Sequence, residues 1–145
     1  MLTLGVMVAP AVAAAPPDGE IHVTRMVVEP AGPDMNFTVY FESSFFTRVF
    51  SIIFGGKVLQ PSIEHLFINF SNVSLLSIDP NNGVAKVTVR DVAKPSGDGV
   101  YVYGGNTAFT TAADVIEVQS SDGKVVMLNN ADTLPAITSR VPGNT

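Results

Sequence analysis

Two histidines, His22 and His65, are the first residues of this chain whose types could do chemistry. A catalytic or structural metal site needs three or four ligands, and neither H-x-H nor H-E-x-x-H spacing occurs. Cysteine is absent, which removes thiolate nucleophiles, disulfides and sulfur-based zinc sites. Phe54-Gly55-Gly56-Lys57 has the glycine-lysine end of a phosphate loop. A full loop also needs Gly at position 51 and Ser or Thr after the lysine, where the chain has Ser51 and Val58. Asp79-Pro-Asn-Asn-Gly83 starts like a calcium loop but carries Val84 and Arg90 where that loop needs Gly and Glu. It reads as a hairpin turn. There is no G-x-S-x-G elbow for a serine nucleophile. A carboxylate-dependent hydrolase would need two acids about 5 to 10 Å apart, and Glu42, Glu64 and Glu117 are the candidates. No catalytic, metal or cofactor-binding residue is assigned, and no cofactor is expected.

Three N-x-[ST] sequons, at Asn36, Asn69 and Asn72, are possible N-glycosylation sites if the host has the machinery. Tyr40, Tyr101 and Tyr103 are expected on the wetter faces of strands. Aromatic residues there could face a protein or sugar partner, or pair across strands within the sheet.

The elements that must position these residues follow from period. Phe37, Val39 and Phe41 alternate with Thr38, Tyr40 and Glu42, which predicts a strand with one dry face. Ile21 to Val28 is rich in β-branched residues and predicts another, followed by a turn over 29–34. The period then lengthens. Phe46, Val49, Phe50 and Ile53 stand at i, i+3, i+4 and i+7, against a polar stripe of Ser44, Thr47, Arg48 and Ser51. This predicts a helix over 44–54, capped by Ser43 or Ser44, stopped by Gly55-Gly56 and buried as the central core helix. Ile63, Leu66, Phe67 and Phe70 repeat the spacing and predict a second helix capped by Ser62. Strands are expected at 73–79 and 84–91 around Pro80–Gly83, at 100–103, and on both sides of the turn Ser120-Ser121-Asp122-Gly123. The fold class that follows is α+β: a mainly antiparallel sheet with two short amphipathic helices packed on one face.

The 145 residues suit one domain. Hydrophobic residues make up 46% and charged residues 14%, which argues against disorder. Net charge is −5 with scattered bases, which gives no footprint for nucleic acid or anionic membrane surfaces. Residues 2–15 carry no charge and end in small residues at Ala-x-Ala spacing, Ala11-Val12-Ala13 or Ala13-Ala14-Ala15. That predicts a secretory signal or its remnant over 1–15, a domain over 16–130 and a C-terminal tail over 131–145. No membrane span is expected in the mature chain, since the run 44–54 is about half the length a bilayer needs. The chain is therefore expected in the extracellular space or cell envelope, as a non-enzymatic binding or assembly module. Its partner there would be a protein or carbohydrate at the cell surface. The alternatives are a carrier of a small apolar ligand or lipid, with a cavity under helix 44–54, and the secreted hydrolase above.

Overall fold

The structure is a computed structural model that describes residues 21–44, 49, 52–105, 107–120 and 123–140. The expected signal segment, most of the first helical stripe (Phe46, Thr47, Arg48, Phe50 and Ser51), and Ser121 and Asp122 of the last turn lie outside the described residues. Nine strands are described: β1 (Ile21–Ala31), β2 (Asp34–Ser43), β3 (Val73–Asp79), β4 (Val84–Val89), β5 (Lys94–Pro95), β6 (Val100–Tyr103), β7 (Ala108–Gln119), β8 (Val125–Thr133) and β9 (Ile137–Arg140). Six of them form one sheet in the order β3-β4-β2-β1-β7-β8, and the other three form a second in the order β5-β6-β9. The fold is mostly β and mainly antiparallel. The large sheet is mixed, because β1 and β7 pair in parallel.

Short turns set the register. β1 runs into β2 through Gly32-Pro33, and Gly32 supplies the positive φ (65°) that so tight a hairpin requires. The expected turn over 29–34 is thus narrower than its composition suggested. Glu29, Pro30 and Ala31 stay paired with Asn36, Met35 and Asp34. Pro30 lies beyond the stretch of β1 that pairs with β7, where a missing N–H disturbs only one ladder. A register shift at Thr24 changes the alternation of β1. It lets Val23, Met26 and Val28 all turn inward, each with no exposed surface.

The β3–β4 hairpin is closed by Asp79. Its Oδ1 accepts from the backbone N–H of Asn81 (3.1 Å) and Asn82 (3.3 Å), and its Oδ2 from Asn82 Nδ2 (2.8 Å). Gly83 ends the loop with φ 65°, and its carbonyl accepts the Phe41 N–H at 2.9 Å. A Cβ at position 83 would stand 2.4 Å from the Phe41 carbonyl oxygen, so the turn meets β2 too closely for a side chain.

One face of the large sheet is dry. Phe37, Val39, Phe41, Ala85, Val87, Val89, Ile116 and Val118 are buried there in one cluster with Ile63, Leu66, Phe67 and Phe70. Four rings gather in it. Phe67 meets Phe37 edge-on with centroids 5.0 Å apart and Phe109 at 5.4 Å, while Phe70 stacks on Phe109 at 5.2 Å. Such geometry adds about 0.5–1.5 kcal/mol per pair beyond area burial.

The helix expected after residue 60 spans Gln60–Leu66. All four stripe residues are buried, although the helix ends at Leu66, so that Phe67 caps it and Phe70 lies in the turn beyond. The start differs: Leu59 is the N-cap, Pro61 occupies the first turn, and Ser62 is buried inside the helix instead of capping it. Burying Leu59 draws the helix start back, and proline is tolerated there because its absent N–H has no intrahelical partner.

The first helix is corrected. Val49 and residues 52–54 are helical, and Gly55 ends the turn with φ 92°, as expected of a glycine stop. But Ile53, assigned to the buried stripe, is 67% exposed, beside Ile52 at 50% and Phe54 at 61%. This end of the stretch is not core. The segment from 131 to 140 is not a loose tail either. β8 continues to Thr133, β9 pairs with β6, and Leu134, Ile137 and Ser139 are buried.

Candidate functional site

The polar side chains gather on the other face of the large sheet. Val27 stands in register with Glu117 and Met26 with Ile116. Since Met26 and Ile116 point into the core, Val27 and Glu117 share the opposite face. Arg25 lies two residues earlier on that side of β1, in register with Tyr40 of β2. Its guanidinium donates to the Glu117 carboxylate, and Gln119 Nε2 donates to the other carboxylate oxygen. The Glu117 side chain is only 10% exposed. The Gln119 amide, followed by the Arg25 guanidinium, holds its carboxyl below the ordinary range, against the opposing effect of burial. A carboxylate held ionised by two donors is suited to fixing the parallel β1–β7 pair, and poorly suited to releasing a proton as a general acid.

His22 lies at the end of the same face. Its Nε2 is 2.9 Å from Asp114 Oδ2, and both side chains are about half exposed. Exposed pairs of this kind contribute little. His65, on the helix, offers its backbone carbonyl to the Thr110 hydroxyl at 3.2 Å. No group of three or more metal-capable side chains occurs among the described residues.

The three candidate acids sit on three different elements: Glu42 near the end of β2, Glu64 on the helix, where it accepts from Gln60, and Glu117 on β7. Glu42 is in register with His22. The tyrosines also separate. Tyr40 lies in the large sheet and is 37% exposed, while Tyr101 and Tyr103 belong to the small sheet. Tyr103 is corrected as a partner-facing residue. It is 4% exposed, and its hydroxyl is buried without a hydrogen-bond partner. It pairs with Ile137 of β9, a strand absent from the sequence reading, and that neighbour turns the ring into the core.

Asn36, Asn69 and Asn72 are all exposed. Asn36 Oδ1 accepts from the Thr88 hydroxyl, Asn69 Nδ2 donates to the Ala108 carbonyl, and Asn72 sits at a left-handed turn with φ 58°. Asn69 stands just beyond the helix. A glycan on its Nδ2 would compete with the bond to β7.

Two apolar surfaces have no counterpart in any motif. One is Ile52–Phe54. The other is the start of β8, where Val125, Val126 and Met127 are 53%, 48% and 57% exposed. A shallow cavity of about 230 Å³, lined by Lys57, Gln60 and residues 75–78, lies beside β3. It is smaller than the roughly 300–1,000 Å³ of small-molecule sites. No helix among the described residues is long and apolar enough to cross a membrane. No family model, curated protein or solved structure matches the chain.

Proposed function

We propose that this chain is an exported binding or assembly module that acts by presenting apolar side chains to a partner at the cell surface. The observation that carries it is the exposure of Ile52, Ile53 and Phe54, three consecutive large apolar residues at the end of a helical stretch. Covering side chains of this size is worth about 1.5–3 kcal/mol each, which a protein partner would gain on docking. In this reading the helix Gln60–Leu66 covers the dry face of the sheet, and residues 49–54 stand at its margin. The uncharged run over 2–15 supports export to the extracellular space or cell envelope. Export would in turn expose the sequons to any glycosylating machinery the host has. The carrier would need a cavity under residues 44–54, most of which lie outside the described residues. The hydrolase has less support, because Glu117 is already engaged by Arg25 and Gln119.

A photo-crosslinking phenylalanine analogue at position 54, in cells expressing the chain, tests the proposal. A discrete adduct in the envelope or secreted fraction is expected, absent when the analogue replaces Lys86 on the wet sheet face. Retention of the chain in the cytoplasm, or equal adducts from both positions, would end it.

A further inference from the structure

Asn82-Gly83 is the only Asn-Gly pair in the chain. It stands at the tip of the β3–β4 hairpin, between Asp79 and Val84, which are in register. An asparagine followed by glycine can react with its own backbone. The Gly83 nitrogen attacks the Asn82 side-chain carbonyl carbon, since a five-membered ring closes there and glycine brings no side chain to shield its nitrogen. The Gly83 N–H proton passes, by way of water, to the departing amide. A C–N bond forms, a C–N bond breaks, ammonia leaves and a cyclic imide remains. Water then opens the ring at either carbonyl. The sum is one water consumed and one ammonia released. The product is aspartate if the original peptide link is restored. It is isoaspartate if the chain is rerouted through the former side chain.

Closing that ring needs movements that the turn resists. The Asn82 side chain must swing toward Gly83, yet its Nδ2 donates to Asp79 Oδ2 at 2.8 Å. The backbone beside it must rotate, yet Asp79 Oδ1 accepts from the Asn81 and Asn82 N–H groups, and the Gly83 carbonyl accepts from Phe41. The Asn82 side-chain amide, then the backbone bonds, hold the Asp79 carboxyl below its ordinary range. At neutral pH it is therefore a carboxylate, with no proton to give to the leaving amide. We propose that Asn82 is a site of spontaneous deamidation that the turn keeps shut, with Asp79 as the latch. The reaction then records each opening of this hairpin, and its product does not close the turn again in the same way. An aspartate at position 82 sets a second carboxylate against Asp79, where the amide donated. An isoaspartate adds a backbone carbon beside Gly83, where even a Cβ would stand 2.4 Å from the Phe41 carbonyl oxygen.

Timed incubation at neutral pH, followed by digestion and mass spectrometry of the peptide that contains Asn82, tests this. The quantity read is the rate at which the amide NH2 is replaced by OH. Folded wild type should react at least about tenfold more slowly than the same chain in urea, since more than one hydrogen bond must open. Asp79→Ala should raise the folded rate at least about fivefold, the share of one such bond, and leave the rate in urea unchanged. If Asp79→Ala fails to fold, Asp79→Asn, which keeps one acceptor oxygen at the turn, should still raise the rate by a smaller factor. Ile63→Val weakens the core without touching the turn, and should leave the folded rate as it is in wild type. Equal rates in folded and urea-unfolded wild type overturn the proposal. So does a folded rate that both Asp79 variants leave unchanged, or that Ile63→Val raises as much as Asp79→Ala does. Earlier reaction at another asparagine of the folded chain overturns it as well.

Discussion

Ile53 and Ile63 stand ten residues apart, each at one end of a four-residue apolar stripe with the same spacing, and they meet opposite environments. Ile63 has no exposed surface, while Ile53 is 67% exposed. Amphipathicity places side chains on one side of a helix, but it does not decide what that side meets. Around Ile63 the partners converge. Leu59, Leu66, Phe67 and Phe70 are buried with it, and rings from β2 and β7 close over them. At Ile53 the chain is about to turn through Gly55, and Ile52 and Phe54 share its exposure. One region is fixed by what covers it; in the other, Ile52 and Ile53 are left largely facing solvent.

The comparison breaks most visibly at Phe67. Its ring touches Phe37, Phe70 and Phe109, so Phe67→Ala removes the centre of the aromatic cluster. The expected loss is about 3–5 kcal/mol, measured by urea unfolding. A loss below about 1 kcal/mol would mean that the site collapses around the cavity and that the cluster is not the main anchor of this region. Ile63→Ala should follow with about 2–5 kcal/mol, read in the same experiment. Ile63→Val, a smaller deletion, should cost about 0.5–1.5 kcal/mol.

Acid sharpens the contrast from the sheet side. Glu117 and Asp79 both have folded-state pKa values below those of the unfolded chain, Glu117 chiefly through Gln119 and then Arg25, Asp79 through Asn82. Each contributes stability that is present above its unfolded pKa and is lost as pH falls through the lower folded value. The urea midpoint should therefore fall as pH drops below about 4.5. Glu117→Gln should flatten that fall, and Asp79→Asn should do so less, since it affects a solvent-exposed turn. A pH dependence identical in wild type and both variants would count against these bonds. The effect should be smaller than either core substitution, because Arg25 is half exposed and screened by solvent.

Local pattern made much of this legible. The alternation in 36–42 and 84–90, the turns at Pro80–Gly83 and 120–123, and the stripe from Ile63 to Phe70 all depend on neighbours a few residues away. What stayed hidden depends on distant partners. Arg25 and Glu117 are 92 positions apart, and their pairing follows from the parallel β1–β7 contact, which leaves no local signal. The continuation of β8 through Asn129-Asn130-Ala131 opposes strand propensity and is imposed by pairing with β7. β9 exists because β6 offers it an edge, and that edge also turned Tyr103 inward.

The smallest expected effect on stability is the one that bears most on function. Ile53→Ser with Phe54→Ser replaces two side chains that are mostly in water already. Unfolding free energy should change by no more than about 0.5 kcal/mol, the range of ordinary surface substitutions. The crosslinks expected from this surface, read with the photo-reactive analogue moved to position 52, should disappear. A stability loss of about 2 kcal/mol or more would show that the two side chains are covered in solution, as Ile63 is. Residues 52–54 would then belong with the core, and the reason for assigning them a partner would be gone. Unchanged stability together with lost crosslinks would leave the two stripes as the exposures have them, one spent on folding and the other kept for binding.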